Sequence, residues 1–161
     1  MIISDAVEIN SMNNHTIVLK SDGTAWICGK NENGQLGDGT IMNSKIPIQF
    51  TSYDIINGIS VGTSNTVVFK NDGTAMTSGQ NYYGQLGDGN GGSAQSRSLV
   101  PVDVSNLCDI ISIGAGESHC MAIKDDGTVW AWGWNNYGQL GDDSTINRLI
   151  PVQVPNFNLF Y

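Results

Sequence analysis

Basic side chains are scarce in this chain: 7 Lys plus Arg stand against 15 Asp plus Glu in 161 residues, a formal net charge of −8. An excess of carboxylates repels a phosphate backbone, and no stripe of Lys and Arg interrupts it, so nucleic acid is not an expected partner. Long hydrophobic runs are missing too. No stretch reaches the roughly 18 apolar residues of a membrane-spanning helix, so no membrane partner is expected. The opening MIISDAVEIN has no positive start and is broken by Asp5 and Glu8, which does not read as a secretory signal and makes cytoplasmic the default location. Cysteines number 3, an odd count, and Cys28 and Cys120 fall at different places in the repeat described below. They are read as separate small core or strand residues in a reducing compartment, not as a disulfide framework or a metal cage.

Chemistry-bearing motifs are equally sparse. No Gly-x-Ser-x-Gly elbow occurs, and no glycine cluster leads into Gly-Lys-Ser/Thr, so neither a serine hydrolase nor a phosphate loop is indicated. The acidic turns, such as Asp125-Asp126-Gly127 and Asp142-Asp143, lack the ligand spacing and terminal Glu of a calcium loop. His15 and His119 share one position of the repeat, where Asn65 stands in the middle copy. A residue that Asn can replace reads as a group bonding to backbone at the start of a strand. The expectation is no enzyme, with no catalytic, cofactor-binding or metal-binding residue and no cofactor. Asn14-His15-Thr16 is formally a glycosylation acceptor, but it opens an expected strand and is read as accidental.

What the chain does have is repetition. DGTAWICGKNENGQLGD from Asp22, DGTAMTSGQNYYGQLGD from Asp72 and DGTVWAWGWNNYGQLGD from Asp126 align without a gap, 50 and 54 residues apart. The extra residues of the second copy fall in the Gly/Ser-rich run around Asn90 to Arg97, which a surface loop absorbs at little cost. A period near 50 signals a stacked array of one supersecondary unit. Each unit reads as four short strands. Two apolar runs, such as IISIGAG and HCMAIK, precede a reversal at Asp-Gly, where glycine accepts positive φ. A third run ends on Gly29, Gly79 or Gly133, and an outer run carries Pro47, Pro101 or Pro151, which cannot donate to a ladder and belongs at an edge. No segment of about a dozen residues keeps a helical period. The expected fold is all-β: three four-stranded propeller blades over about 5–50, 54–104 and 109–154 of a single repeat domain, with a short tail at 155–161.

The motif Gly34-Gln35-Leu36-Gly37-Asp38, repeated as Gly84-Gln85-Leu86-Gly87-Asp88 and Gly138-Gln139-Leu140-Gly141-Asp142, follows the third strand. Structural need accounts for it. Its glycines allow conformations closed to other residues, its Leu plugs a core, and its Asp caps backbone N–H groups in an Asx-type turn.

GESHCMAIKDDGTVWAWGWNNYGQLGDD from Gly116 resembles the repeat of the regulator of chromosome condensation family, and all three copies match it. The resemblance implies a β-propeller, typically of seven blades. It names no single function, since the family includes nucleotide-exchange factors for small GTPases, domains attached to ubiquitin ligases, a light sensor and enzyme inhibitors. Light sensing is disfavoured because the second repeat contributes no tryptophan. Three blades fall short of a closed ring, so an outside element is expected to cover the ends. The first expectation is a second copy, giving a homodimer of six blades; the second is that the chain is part of a longer propeller.

Aromatic residues supply the candidate site. Trp130, Trp132 and Trp134 alternate, so all three face one side if the strand stays regular; Trp130 and Trp132 then fill the space between blades. Trp134, aligned with Lys30 and Gln80, is expected in solvent or on a loop. Together with Tyr137, Tyr82 and Tyr83 it is expected to form a partner-binding patch. The inserted loop from Gly89 to Ser98 is a second place of interest. The functional expectation is a non-enzymatic protein-interaction scaffold. Nucleotide exchange or other regulation of a small GTPase is the alternative implied by resemblance, and a self-assembling propeller fragment is the third.

Overall fold

The computed structural model describes residues 4–52 and 54–155. Twelve strands form three separate four-stranded antiparallel sheets. The first holds β1 (Ala6–Met12), β2 (His15–Lys20), β3 (Ala25–Gly29) and β4 (Ser44–Gln49). The second holds β5 (Ile56–Val61), β6 (Asn65–Lys70), β7 (Ala75–Gln80) and β8 (Arg97–Asp103). The third holds β9 (Ile110–Ala115), β10 (His119–Lys124), β11 (Val129–Gly133) and β12 (Arg148–Gln153). Strands follow chain order across each sheet, and the described residues contain no helix. Pro47, Pro101 and Pro151 sit on β4, β8 and β12, the outermost strands, where a missing N–H is harmless.

Register repeats with the sequence. Thr16 pairs with Cys28, Thr66 with Ser78 and Cys120 with Trp132. The reversal expected at Asp-Gly between the second and third strands is a three-residue loop, Ser21 to Gly23 in the first sheet. Lys20 N–H bonds the Thr24 carbonyl at 2.9 Å, and Gly23 sits at φ +79°. The Asp22 carboxylate accepts both the Thr24 N–H (3.0 Å) and its hydroxyl (2.6 Å), which fixes the turn and draws the Asp22 carboxyl down to about 2. The same bonds recur at Asp72–Thr74 and Asp126–Thr128.

Alternation along the second strand aims one set of side chains at the next sheet. Ile17, Leu19, Ala25, Ile27, Leu36 and Phe50 of the first sheet meet Ile56, Ile59, Val61 and Val68 of the second in one buried cluster. Val67, Ala75 and Val104 of the second meet Ile110, Cys120, Ala122 and Trp132 of the third in another. Each fully buried aliphatic side chain contributes about 1.5–3 kcal/mol relative to exposure, so sheets that cannot cover themselves are held by their neighbours.

Candidate functional site

Each loop following a third strand is built by one asparagine. Asn31, Asn81 and Asn135 are buried; in each, Nδ2 donates to the motif carboxylate (Asp38, Asp88 or Asp142, 2.9–3.0 Å) while Oδ1 accepts the Leu36, Leu86 or Leu140 N–H. The carboxylates in turn cap Thr40, Asn90 and Ser144 N–H, the Asx turn expected from the motif. Gln35, Gln85 and Gln139 accept with Oε1 from the N–H two residues earlier, at Asn33, Tyr83 and Tyr137. Leu36, Leu86 and Leu140 are fully buried beneath. The sequence signal for the asparagines is their presence at one position in all three copies, seven residues before the Asp.

These rigid loops bring the four expected aromatics together. Ring centroids lie 4.4 Å apart for Tyr82–Tyr83, 5.6 Å for Tyr83–Trp134 and 5.3 Å for Trp134–Tyr137, with edge contacts at both ends of the row. The row crosses the seam between the second and third sheets. Tyr137 is 83% exposed and Tyr82 37%, while Tyr83 and Trp134 are half-buried between them. The inserted loop joins this region: Gly92 N–H bonds the Tyr82 carbonyl and Asn81 N–H the Ser96 carbonyl.

Trp134 lies on a loop, as its alignment with Lys30 and Gln80 leads one to expect. β11 ends at Gly133, whose φ of +98° turns the chain, so Trp134 does not share the face of Trp130 and Trp132. Trp132 is buried between sheets and donates Nε1–H to the Gln85 carbonyl at 3.0 Å. Trp130 packs half-buried on the same cluster and bonds its own Thr128 hydroxyl. Of the cysteines, Cys120 is buried, with its thiol pushed up to about 12 by desolvation, and Cys28 is half-buried. Cys108 departs from the expectation: it lies exposed on a loop, its thiol donating to the Asp109 carboxylate.

His15 is the structural group expected, bonding the Asn65 backbone, and it adds a contact between sheets. His15 Nε2 lies 3.1 Å from the Thr66 hydroxyl of the next sheet, and Asn65 Nδ2 donates to Cys120 Sγ at 3.4 Å in the same way, so this position ties sheet to sheet. Burial lowers the His15 imidazole from 6.5 to about 4. The unfolded chain therefore binds the proton first, and stability present above pH 6.5 falls as pH drops from 6.5 toward 4, by on the order of 2 kcal/mol. Asp22, depressed to about 2, adds its own loss only below about pH 4. Urea midpoints at pH 7 and pH 5 should show the drop, and His15→Asn should shrink it; an equal drop in the variant would remove His15 as its source.

A family model described as "Regulator of chromosome condensation (RCC1) repeat" matches residues 72–123 and 126–159, and a second model of the same description matches 13–35 and 110–139. The chain belongs to the RCC1 repeat family. It is 32% identical over 144 residues to the Ultraviolet-B receptor UVR8 of Arabidopsis thaliana, covering 89% of this chain and 33% of that protein. It is 47% identical over 129 residues to the probable E3 ubiquitin-protein ligase HERC4 of Rattus norvegicus, covering 79% of this chain and 12% of the relative. The chain thus spans a third or less of these relatives. Among solved structures it superposes on Prp20p from Saccharomyces cerevisiae with a TM-score of 0.84 at 19% identity, over 94% of this chain and 39% of that one. Human WBSCR16 gives 0.81, also at 19% identity, over 96% and 40%. The fold is that of an RCC1-type β-propeller, here as three blades.

Proposed function

We propose that this RCC1 repeat chain is a non-enzymatic protein-interaction scaffold that takes its partner on the Tyr82–Tyr83–Trp134–Tyr137 row. The observation that carries the reading is the row itself: four aromatic rings in series, two of them presented to solvent, on loops fixed by buried asparagines. Tyr and Trp give large contact area for few rotatable bonds, and rings already packed on one another lose little freedom when a partner seats on them. Such residues dominate the binding energy of protein interfaces. The relatives fit a binding role, since one structure of Prp20p is described with its binding to Gsp1p and histones. Regulation of a GTPase would use the same fold, but no residue described above favours it over another partner.

Affinity capture with the wild-type chain, repeated with Tyr137→Ala and Trp134→Ala, tests the reading. A bound protein should be lost by tenfold or more in both variants, a change of about 1.4 kcal/mol or greater. Tyr137→Ala should leave the thermal midpoint unchanged because that side chain is 83% exposed. A partner held equally by wild type and both variants would place the binding surface elsewhere.

A further inference from the structure

The two joints between sheets share one design. At the first, the Thr66 and Ser78 hydroxyls of the second sheet donate to the Gln35 carbonyl of the first, at 2.8 and 3.3 Å. At the second, Cys120 Sγ–H and Trp132 Nε1–H of the third sheet converge on the Gln85 carbonyl, at 3.5 and 3.0 Å. A main-chain bond closes each loop onto the next sheet's outer strand, Gly39 N–H to the Leu99 carbonyl (2.8 Å) and Gly89 N–H to the Leu149 carbonyl (3.0 Å). His15 and Asn65 complete the two sets, reaching Thr66 and Cys120.

The free ends of the array carry the two halves of a third such joint. On the third sheet, His119 holds the position of His15 and Asn65, and among the described residues its ring makes no counterpart of the bonds by which those two reach the next sheet. The Gln139 carbonyl is the counterpart of Gln35 and Gln85. On the first sheet, Thr16 and Cys28 are the counterparts of Thr66 with Ser78 and of Cys120 with Trp132. Those counterparts are all buried, whereas Thr16 and Cys28 are only half covered. Ile9 is 69% exposed where its equivalent Ile59 is 3%. At the other end Met121 is half-buried where Ile17 and Val67 are fully buried.

Charge indicates which surface covers these ends. Lys45 occupies the position of Leu99 and Leu149, and Asp143 that of Gly39 and Gly89. In both formed joints those two positions are bonded neighbours, glycine against leucine. The unformed joint alone would set Asp143 against Lys45, both exposed in the chain as it stands. Departures from the repeat on both halves of one joint, of opposite sign, match the chain's ends to each other better than to any Gly- or Leu-bearing unit. The geometry points to a second copy of this chain as the occupant: the third sheet of each copy seats on the first sheet of the other, twice, in a closed ring of two. In it His119 bonds the partner copy's Thr16, and that Thr16 and Cys28 bond the Gln139 carbonyl. This surface meets the aromatic row only at Tyr137, the counterpart of the Tyr83 that packs on Trp134 across the second seam.

Sedimentation equilibrium reads the assembly directly. The chain should run at twice its 17.2 kDa. Lys45→Glu and Asp143→Lys, each placing like charges in both joints, should weaken the dimer by roughly tenfold or more, and the double variant Lys45→Glu/Asp143→Lys should recover it. Tyr82→Ala, at the end of the row away from this joint, should leave the mass unchanged, which separates this ring from a dimer formed through the aromatic row. Circular dichroism melts confirm that each variant is folded. A wild-type monomer, open polymers, or a dimer indifferent to both single charge changes would overturn the proposal.

Discussion

Trp132→Ala should lower the unfolding free energy by about 3–5 kcal/mol, the range for truncating a large buried aromatic. The indole is fully buried among Val67, Ala75 and Val104 of the second sheet, so alanine leaves a cavity at the seam between sheets. It also removes the Nε1–H donor from the Gln85 carbonyl, which then keeps only the long contact from Cys120 Sγ. Because stacked units are stabilised by nearest neighbours, the third sheet should loosen before the rest, lowering the slope of a urea titration as well as its midpoint. Trp130→Ala is the comparison: that ring is half-buried and its N–H bonds a threonine of its own sheet, so the loss should be smaller. A Trp132→Ala loss below about 1 kcal/mol would mean that the seam does not carry the coupling assigned to it.

Asn81→Leu should cost about 3 kcal/mol or more despite a nearly unchanged shape. The substitution strips the Asp88 carboxylate and the Asn90 carbonyl of their Nδ2–H donor, and leaves the buried Leu86 N–H without an acceptor. Each buried polar group orphaned in this way costs about 1–3 kcal/mol, and the greasy replacement returns part of it. Amide exchange at Leu86 reports the effect locally: its protection should collapse in the variant while that of Leu140, in the adjacent sheet, persists. Unchanged exchange at Leu86 would show that water or a shifted backbone replaces the asparagine.

The fold was readable because repetition let three noisy copies of one pattern be read as one. Period-two runs, Asp-Gly reversals and a proline in each outer run gave twelve strands and their order, and the structure has them. Where the reading stopped, the cause was local backbone geometry or a contact between sheets. Gly133 turns the chain one residue before Trp134, so that ring, expected in solvent or on a loop, is delivered to Tyr83 and Tyr137, whereas the turn itself leaves no mark on the periodicity. The backbone bond of His15 is legible in the sequence, but its second partner, Thr66, lies 51 residues away on another sheet, and no spacing rule within one repeat points across a joint. The asparagines of the loops are hard to read for the opposite reason: they lie three residues before a motif whose glycines, leucine and aspartate already explain it.

At both formed seams the acceptor is a peptide carbonyl, while the donors range over hydroxyl, thiol and indole. No side-chain replacement at Gln35 or Gln85 can delete that oxygen, so sequence drift is confined to the facing side, where any group bearing a polar hydrogen of suitable reach will serve. Blades that have diverged from one another thus keep this one bond at their borders, a property that suits a protein lineage growing by duplication.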